Sequence, residues 1–213
     1  MIFPNKIFIT GTDTGVGKTV VSAILMAGLD GFYWKPIQSG LDEISDTEWV
    51  REHTGLSDDH FFSETYRLTL PLSPHASALH DGVRIDLDYF HVPEVPAPGH
   101  LIIEGAGGVM APLNETHLMT ALIKRLGAPV LLIARSSLGT INHTLLSLEQ
   151  LRREGIDVMG VVINGPGNRE NRAAIEHYGR IRVLAEIEPI EYIDPQNLRI
   201  LFLQYFGPAT SKT

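Results

Sequence analysis

A chain of 213 residues is within the range of a single domain, length alone leaves two small ones open, and 44% hydrophobic with 20% charged residues excludes a disordered or fibrous chain. A formal charge of −8 argues against nucleic-acid binding as the main function, and the absence of cysteine excludes disulfides, thiolate metal sites and cysteine nucleophiles. The N-terminus enters an apolar segment without the features of a secretory leader, and no apolar run approaches membrane-spanning length, so a soluble cytoplasmic protein is expected.

Taken in chain order, Ile7-Phe8-Ile9-Thr10 predicts a buried strand. It turns through Gly11-Thr12-Asp13-Thr14-Gly15-Val16-Gly17-Lys18-Thr19 into a helix that continues through Val20 to Met26. A strand that turns through glycines into Gly-Lys-Thr is a phosphate-binding loop. Backbone N–H groups of Thr14, Gly15, Val16 and Gly17 and of the helix start would converge on an anion that the helix dipole also favours. Lys18 would reach the β/γ-phosphates and the Thr19 hydroxyl would bind Mg²⁺. The loop is a variant, because Thr12 stands where the usual pattern has its first glycine and Gly11 lies one place further out.

Phe32-Tyr33-Trp34 predicts a short strand that delivers Lys35-Pro36-Ile37-Gln38-Ser39-Gly40 into a loop. Pro36 biases Lys35 towards an extended conformation, which sets its ammonium at the C-terminal edge of a sheet, where ligands bind in open α/β folds; a surface lysine is the alternative. Asp42 to His53 reads as a helix whose start is capped at Ser45-Asp46. Between Gly55 and Gly99 the only element predicted is a short helix near His75–Leu79, with a proline-rich connection over Val92–Gly99.

Leu101-Ile102-Ile103-Glu104 reads as an apolar strand ending in a carboxylate, followed by Gly105-Ala106-Gly107-Gly108. This resembles a Walker-B element that serves Mg²⁺, with a turn-capping carboxylate as the alternative. His117–Leu126 predicts a helix presenting Leu118, Ala121, Leu122 and Leu126, ended by Gly127. Pro129–Ala134 predicts a strand buried on both faces, and Gly139-Thr140 a second strand-to-helix turn opening a helix from Ile141 to Arg153. A strand at Val158–Asn164, a helix to Tyr178 and a strand at Arg182–Ile187 follow; residues 207–213 are expected to fray. The alternation predicts an α/β fold, a parallel sheet with helices on both faces, in one phosphate-loop NTPase-like domain spanning 1–213.

Several separated pieces resemble one family, the dethiobiotin synthetases. They are Gly11–Thr19, Lys35-Pro36-Ile37-Gln38-Ser39-Gly40, Ser45-Asp46, Glu104–Gly108, Gly139–His143 and Ile163-Asn164. Such enzymes close a cyclic urea on 7,8-diaminopelargonic acid with CO2 and ATP through a carbamate and a carbamic-phosphoric anhydride. The resemblance implies ATP as co-substrate and Mg²⁺ held by Thr19, Asp46 and Glu104. It puts nucleotide on residues 14–19, Asn164 and Pro189, with Lys18, Lys35 and Ser39 at the reacting groups. Thr12, Lys35, Ser39 and Gly107 would face substrate. Gly139, Thr140, Ile141 and Asn142 would hold its carboxylate from the partner subunit of a homodimer. Locally, the alternative at that turn is that Thr140 simply caps its helix. The loop before Asp46 is shorter than is common in the family, which leaves Asp42 or Glu43 as alternative metal carboxylates.

Two competing readings remain. A MinD/ParA-type switch ATPase shares the fold but carries a signature lysine where Asp13 stands, and the acidic composition weighs against membrane or DNA association. A cobyrinate-type amide synthase needs an appended glutaminase domain and a cysteine nucleophile, both missing from this chain.

Overall fold

The computed structural model describes residues 1–207. The expectation of a frayed tail therefore lies, for 208–213, outside the described residues; Gly207 itself donates its N–H to the carbonyls of Phe202 and Leu203.

The strands are β1 (Lys6–Gly11), β2 (Phe32–Trp34), β3 (Ile37–Ser39), β4 (Phe61–Phe62), β5 (Tyr66–Leu68), β6 (Leu101–Gly108), β7 (Val130–Arg135), β8 (Val158–Asn164) and β9 (Val183–Ile187). The helices are α1 (Lys18–Leu29), α2 (Asp46–Thr54), α3 (Pro74–His80), α4 (Met119–Leu126), α5 (Thr140–Arg153), α6 (Arg169–Gly179) and α7 (Pro195–Phe206). Seven strands form one sheet in the order β4-β2-β6-β1-β7-β8-β9, with every pairing parallel. A strand buried on both faces needs apolar residues at both parities. β1 shows this directly: Ile7 and Ile9 join one core with Val21 and Leu25 of α1 and Leu198 of α7, whereas Phe8 joins the other with Leu122 of α4 and Leu148 of α5.

Three expectations are corrected, and one helix is added. Residues 37–39 are not loop: Pro36 accepts hydrogen bonds from the N–H groups of Thr65 and Tyr66, and this registers β3 against β5 as a separate parallel pair. β6 does not end at Glu104 but continues to Gly108, which pairs with Gly11, so the carboxylate sits inside the strand. α4 starts at Met119 because the Asn114 side chain captures the N–H groups of Thr116 and His117 in a turn. Its buried apolar face is accordingly Met119, Leu122, Ile123 and Leu126: Leu122 and Leu126 are as predicted, whereas Leu118 and Ala121 are only half-buried. α7, which the sequence pattern did not suggest, packs across α1, where Phe202 lies over Gly28. Among the described residues no helix is long and apolar enough to cross a membrane.

Candidate active site

A parallel sheet gathers the C-terminal ends of its strands at one edge, and the ends of β1, β2 and β6 meet there in a cleft of about 650 Å³. The loop lines it with Thr14, Gly15, Gly17, Lys18 and Thr19. The segment after β2 contributes Lys35, Ser39 and Asp46, and β6 contributes Glu104 and Gly107.

Gly15 and Gly17 have φ of 65° and 96°, the left-handed region that glycine enters without steric penalty. A β-carbon at Gly17 would also collide with the Asn164 carboxamide, whose Nδ2 donates to the Val16 carbonyl at 3.1 Å. Val16 packs its side chain into the core, so only its backbone remains for a ligand. The N–H groups of the first turn of α1 have no intrahelical acceptor. Lys18 is buried, and its Nζ donates to the Asp13 carbonyl at 3.0 Å. Burial brings its pKa down to about 8; the Lys35 charge adds to the fall, while Glu104 and Asp46 resist it.

Beside the loop lies a cluster of opposite charge. Lys35 Nζ sits 2.5 Å from Asp46 Oδ2 and 3.0 Å from Glu104 Oε1. Burial alone would lower the Lys35 pKa, but the two carboxylates outweigh it and hold the ammonium above its ordinary value. Burial likewise works to raise the Asp46 carboxyl; the Lys35 charge and the hydrogen bonds from Lys35 and Thr19 prevail and hold it low. Asp46 is fixed by the start of α2: Ser45 and Glu48 form a reciprocal capping box, and the Asp46 N–H donates to Gln38 Oε1 at 3.2 Å. Asp42 and Glu43, the alternative carboxylates, are exposed.

A proton count shows what this cluster can accept. Thr19 Oγ1 lies 2.7 Å from Asp46 Oδ1 and 2.9 Å from Glu104 Oε1. A hydroxyl has one proton, so it cannot donate to both. One of these two oxygen–oxygen contacts thus has no proton in it, even with Lys35 donating to Glu104 Oε1, at the mouth of a phosphate-binding loop. A hard divalent cation with oxygen ligands fits that arrangement. Among the described residues no group of three or more His, Asp or Glu side chains is placed to hold a metal. Protein ligation is therefore limited to two carboxylates and a hydroxyl, which suits Mg²⁺ carried in with nucleotide phosphates.

The other expected site residues are divided. Ser39 Oγ is buried without a hydrogen-bond partner among the described residues, and Gly107, at φ 68°, also lines the cleft. Thr12 lines instead a second cavity of about 320 Å³ beside Gly108 and His143. Gly139, Thr140, Ile141 and Asn142 do not reach the cleft of their own chain: they open α5, next to the second cavity. The cap of α5 is Gly139, at φ 95°, and no side chain caps the helix. The Thr140 hydroxyl is buried without a partner among the described residues, so the capping alternative fails. Asn164 leans on the loop without lining the cleft, and Pro189 is exposed in the segment after β9, where Glu188 accepts the Gly167 N–H at 2.9 Å.

Sequence reasoning missed three participants. Tyr33 and Ser22 both donate to Glu104 Oε2, at 3.0 and 2.7 Å. Burial and the neighbouring Glu104 charge keep the Tyr33 phenol pKa well above its ordinary value, so it remains a donor. Arg135 pairs with Asp13 at 2.5 Å, tying the loop to the end of β7. A signal existed for the first two. Tyr33 lies on β2 two residues before Lys35, which continues the extended chain, and Ser22 follows Thr19 by three on a helix, spacings that put each pair on one face.

Residues 5–197 match the AAA domain family. Over 202 residues the chain is 45% identical to the ATP-dependent dethiobiotin synthetase BioD of Nitrobacter hamburgensis, covering 95% of this chain and 94% of that one. Over 184 residues it is 50% identical to the BioD of Paramagnetospirillum magneticum, covering 86% and 88%. The chain belongs to the dethiobiotin synthetase family. It is 48% identical over 194 residues to the biotin biosynthesis bifunctional protein BioCD of Bordetella avium, and it spans 41% of the length of that relative. A ParA family ATPase from Chlorobium tepidum superposes with a TM-score of 0.52 at 10% identity, covering 96% of this chain and 91% of that one, a likeness of fold alone. The family assignment makes the chain an ATP-dependent enzyme and does not favour the switch reading.

Proposed function

We propose that this protein closes the cyclic urea of dethiobiotin from 7,8-diaminopelargonic acid, CO2 and ATP, releasing ADP and phosphate, in the cytoplasm. The observation that carries the reading is the meeting of Lys18, Lys35, Thr19, Asp46 and Glu104 in one cleft at the end of a phosphate loop. One neutral amine of the substrate adds to CO2 and loses a proton, giving a carbamate. A carbamate oxygen then forms a bond to the γ-phosphorus as the bond to ADP breaks. The second amine attacks the carbamoyl carbon, phosphate leaves, and another proton is lost. The carbamate and the triphosphate that meet before closure both carry negative charge, so the protein's task is positioning and neutralisation. Backbone N–H groups of residues 14–17 and Lys18 would cradle the triphosphate. Thr19, Asp46 and Glu104 would hold Mg²⁺, which when bound supplies positive charge at the phosphate oxygens. Lys35, with Ser39 beside it, would neutralise the carbamate and the transferring phosphoryl group. Asn164 and Pro189 are the proposed adenine-side contacts.

The proposed assembly is a homodimer. The turn at Gly139–Asn142 lies away from the cleft of its own chain, yet it opens a helix whose N–H groups suit a carboxylate. Leu138, Met110 and Leu146 are exposed nearby, on the surface a second copy would cover. The substrate carboxylate would then be held by the partner.

Incubation with diaminopelargonate, labelled bicarbonate, Mg²⁺ and ATP is expected to yield a labelled cyclic urea. ATP hydrolysis without label in that product would overturn the reading. Mixing Lys35→Ala chains with Asn142→Asp chains is expected to restore activity in mixed dimers, because one of their two sites then carries neither lesion; no recovery from folded, dimeric chains would place the whole site in one subunit.

A further inference from the structure

Glu104 is completely buried, and its two oxygens have different sets of donors. Oε1 faces the proton-poor cluster, with Thr19 Oγ1 at 2.9 Å and Lys35 Nζ at 3.0 Å. Oε2 is turned away from it and is met by Ser22 Oγ at 2.7 Å and Tyr33 Oη at 3.0 Å. The two hydroxyls are not equivalent. Ser22 also lies 2.9 Å from the Lys18 carbonyl, so its single proton is shared between two acceptors. Tyr33 has Glu104 as its one side-chain hydrogen-bond partner among the described residues, and a carboxylate offers no proton, so the phenol donates there.

The sheet explains the placement. β2 pairs with β6 so that Tyr33 faces Ile102 and Trp34 faces Ile103. Tyr33 and Glu104 are thus diagonal neighbours on one face. Lys35, two residues on from Tyr33, continues the same side of the strand. β2 and the residue that directly follows it therefore supply a neutral donor to the outer oxygen and a cation to the inner one. The core does not require the hydroxyl: a phenylalanine would fill the same fully buried space beside Phe61.

We propose that Tyr33 is a positioning residue, whose hydroxyl holds Oε2 of Glu104 so that Oε1 is presented to Thr19, Asp46 and an incoming divalent cation. This rests on the reading of Glu104 as a Mg²⁺ ligand. Partners that orient a metal ligand from behind commonly change metal affinity by about 10- to 100-fold when removed.

The test is Tyr33→Phe in the full chain, read by the electron paramagnetic resonance signal of Mn²⁺ titrated into the protein with ADP. The expected result is about tenfold weaker Mn²⁺ binding, with ADP affinity in EDTA unchanged and the Mg²⁺ needed for half-maximal turnover raised by the same factor. Ser22→Ala, whose proton is shared, should weaken Mn²⁺ binding less. Glu104→Gln separates the two levels of the argument. If it leaves Mn²⁺ affinity unchanged, the ligand reading fails and takes the proposal with it. If it weakens binding while Tyr33→Phe only lowers the melting temperature, the ligand reading stands and the positioning role is overturned. Should Tyr33→Phe not fold, 4-aminophenylalanine at position 33 keeps a donor on the same ring carbon. It is expected to retain Mn²⁺ affinity within about twofold, and a tenfold loss in a folded protein would overturn the proposal.

Discussion

Replacing Lys35 with methionine removes the cation from between Asp46 and Glu104 while keeping an unbranched side chain. The ammonium is 2.5 Å from one carboxylate and 3.0 Å from the other, and the side chains of Lys35 and Glu104 are 5% and 0% exposed. Breaking a buried pair by removing one partner costs about 3–5 kcal/mol, because the remaining charge is left without compensation. For a chain of this size that is a fall in melting temperature of roughly 6–20 °C. The pH dependence has a definite sign. In the wild type the Asp46 carboxyl is held below its ordinary pKa, so its contribution to stability is present above the unfolded value and disappears as pH falls. In the variant Asp46 loses the neighbouring charge that holds its carboxyl low, so the deficit is largest near neutral pH and narrows as pH falls. Mg²⁺ with ADP should stabilise the variant more than the wild type, whose ammonium already neutralises the cluster. Turnover should fall roughly a hundredfold or more while nucleotide still binds. Differential scanning fluorimetry in EDTA and in Mg²⁺–ADP, across pH 4.5 to 8, measures all but the last. A variant that melts with the wild type in EDTA at pH 7 would refute the reasoning.

With its pKa at about 8, Lys18 is half neutral at pH 8 in the free protein, and a bound triphosphate restores its charge. Calorimetry in buffers of different ionisation enthalpy should show about 0.5 proton taken up per nucleotide at pH 8 and about 0.1 at pH 7, with affinity falling as pH rises; the same uptake in Lys18→Met would contradict the assignment. Gly17→Ala forces φ 96° on a residue with a β-carbon and drives that carbon into Asn164, so fluorescent-nucleotide affinity should drop more than about tenfold. Adding Asn164→Ala should relieve the collision but not the backbone strain, and recover only part of the loss. Ser45→Ala removes the hydroxyl of the α2 capping box and should lower stability by about 1 kcal/mol, a melting shift of roughly 2–4 °C. An unchanged transition would show that the cap contributes nothing.

Much of the architecture was readable because its causes are local. The continuous apolar runs of β1 and β7, the glycines that turn β1 into α1 and the Ser45 cap each depend on neighbours within a few positions, as do helix period and glycine φ. The phosphate loop and its lysine were legible for the same reason. Elements whose existence depends on distant partners were not. β3 and β5 have three residues each and no pattern of their own, and only their mutual pairing makes them strands. α7 leaves Ile200 and Leu203 exposed, which blurs its apolar stripe, and it is settled by α1 beneath it. Glu104 was recognisable as a carboxylate near glycines. What holds it was not: the Tyr33, Lys35 and Thr19 groups that meet it lie 71, 69 and 85 residues away in sequence. Residue spacing could nominate Lys35, Asp46 and Glu104 separately, but the proton count that makes the two carboxylates a candidate cation site exists only once the sheet brings their oxygens within 3 Å of common neighbours. The same holds in reverse for Gly139–Asn142, where a sequence that suits an anion was placed by the fold outside the cleft of its own chain. Local sequence sets which chemistry a segment offers; the long-range parallel pairing decides which of those offers face one another.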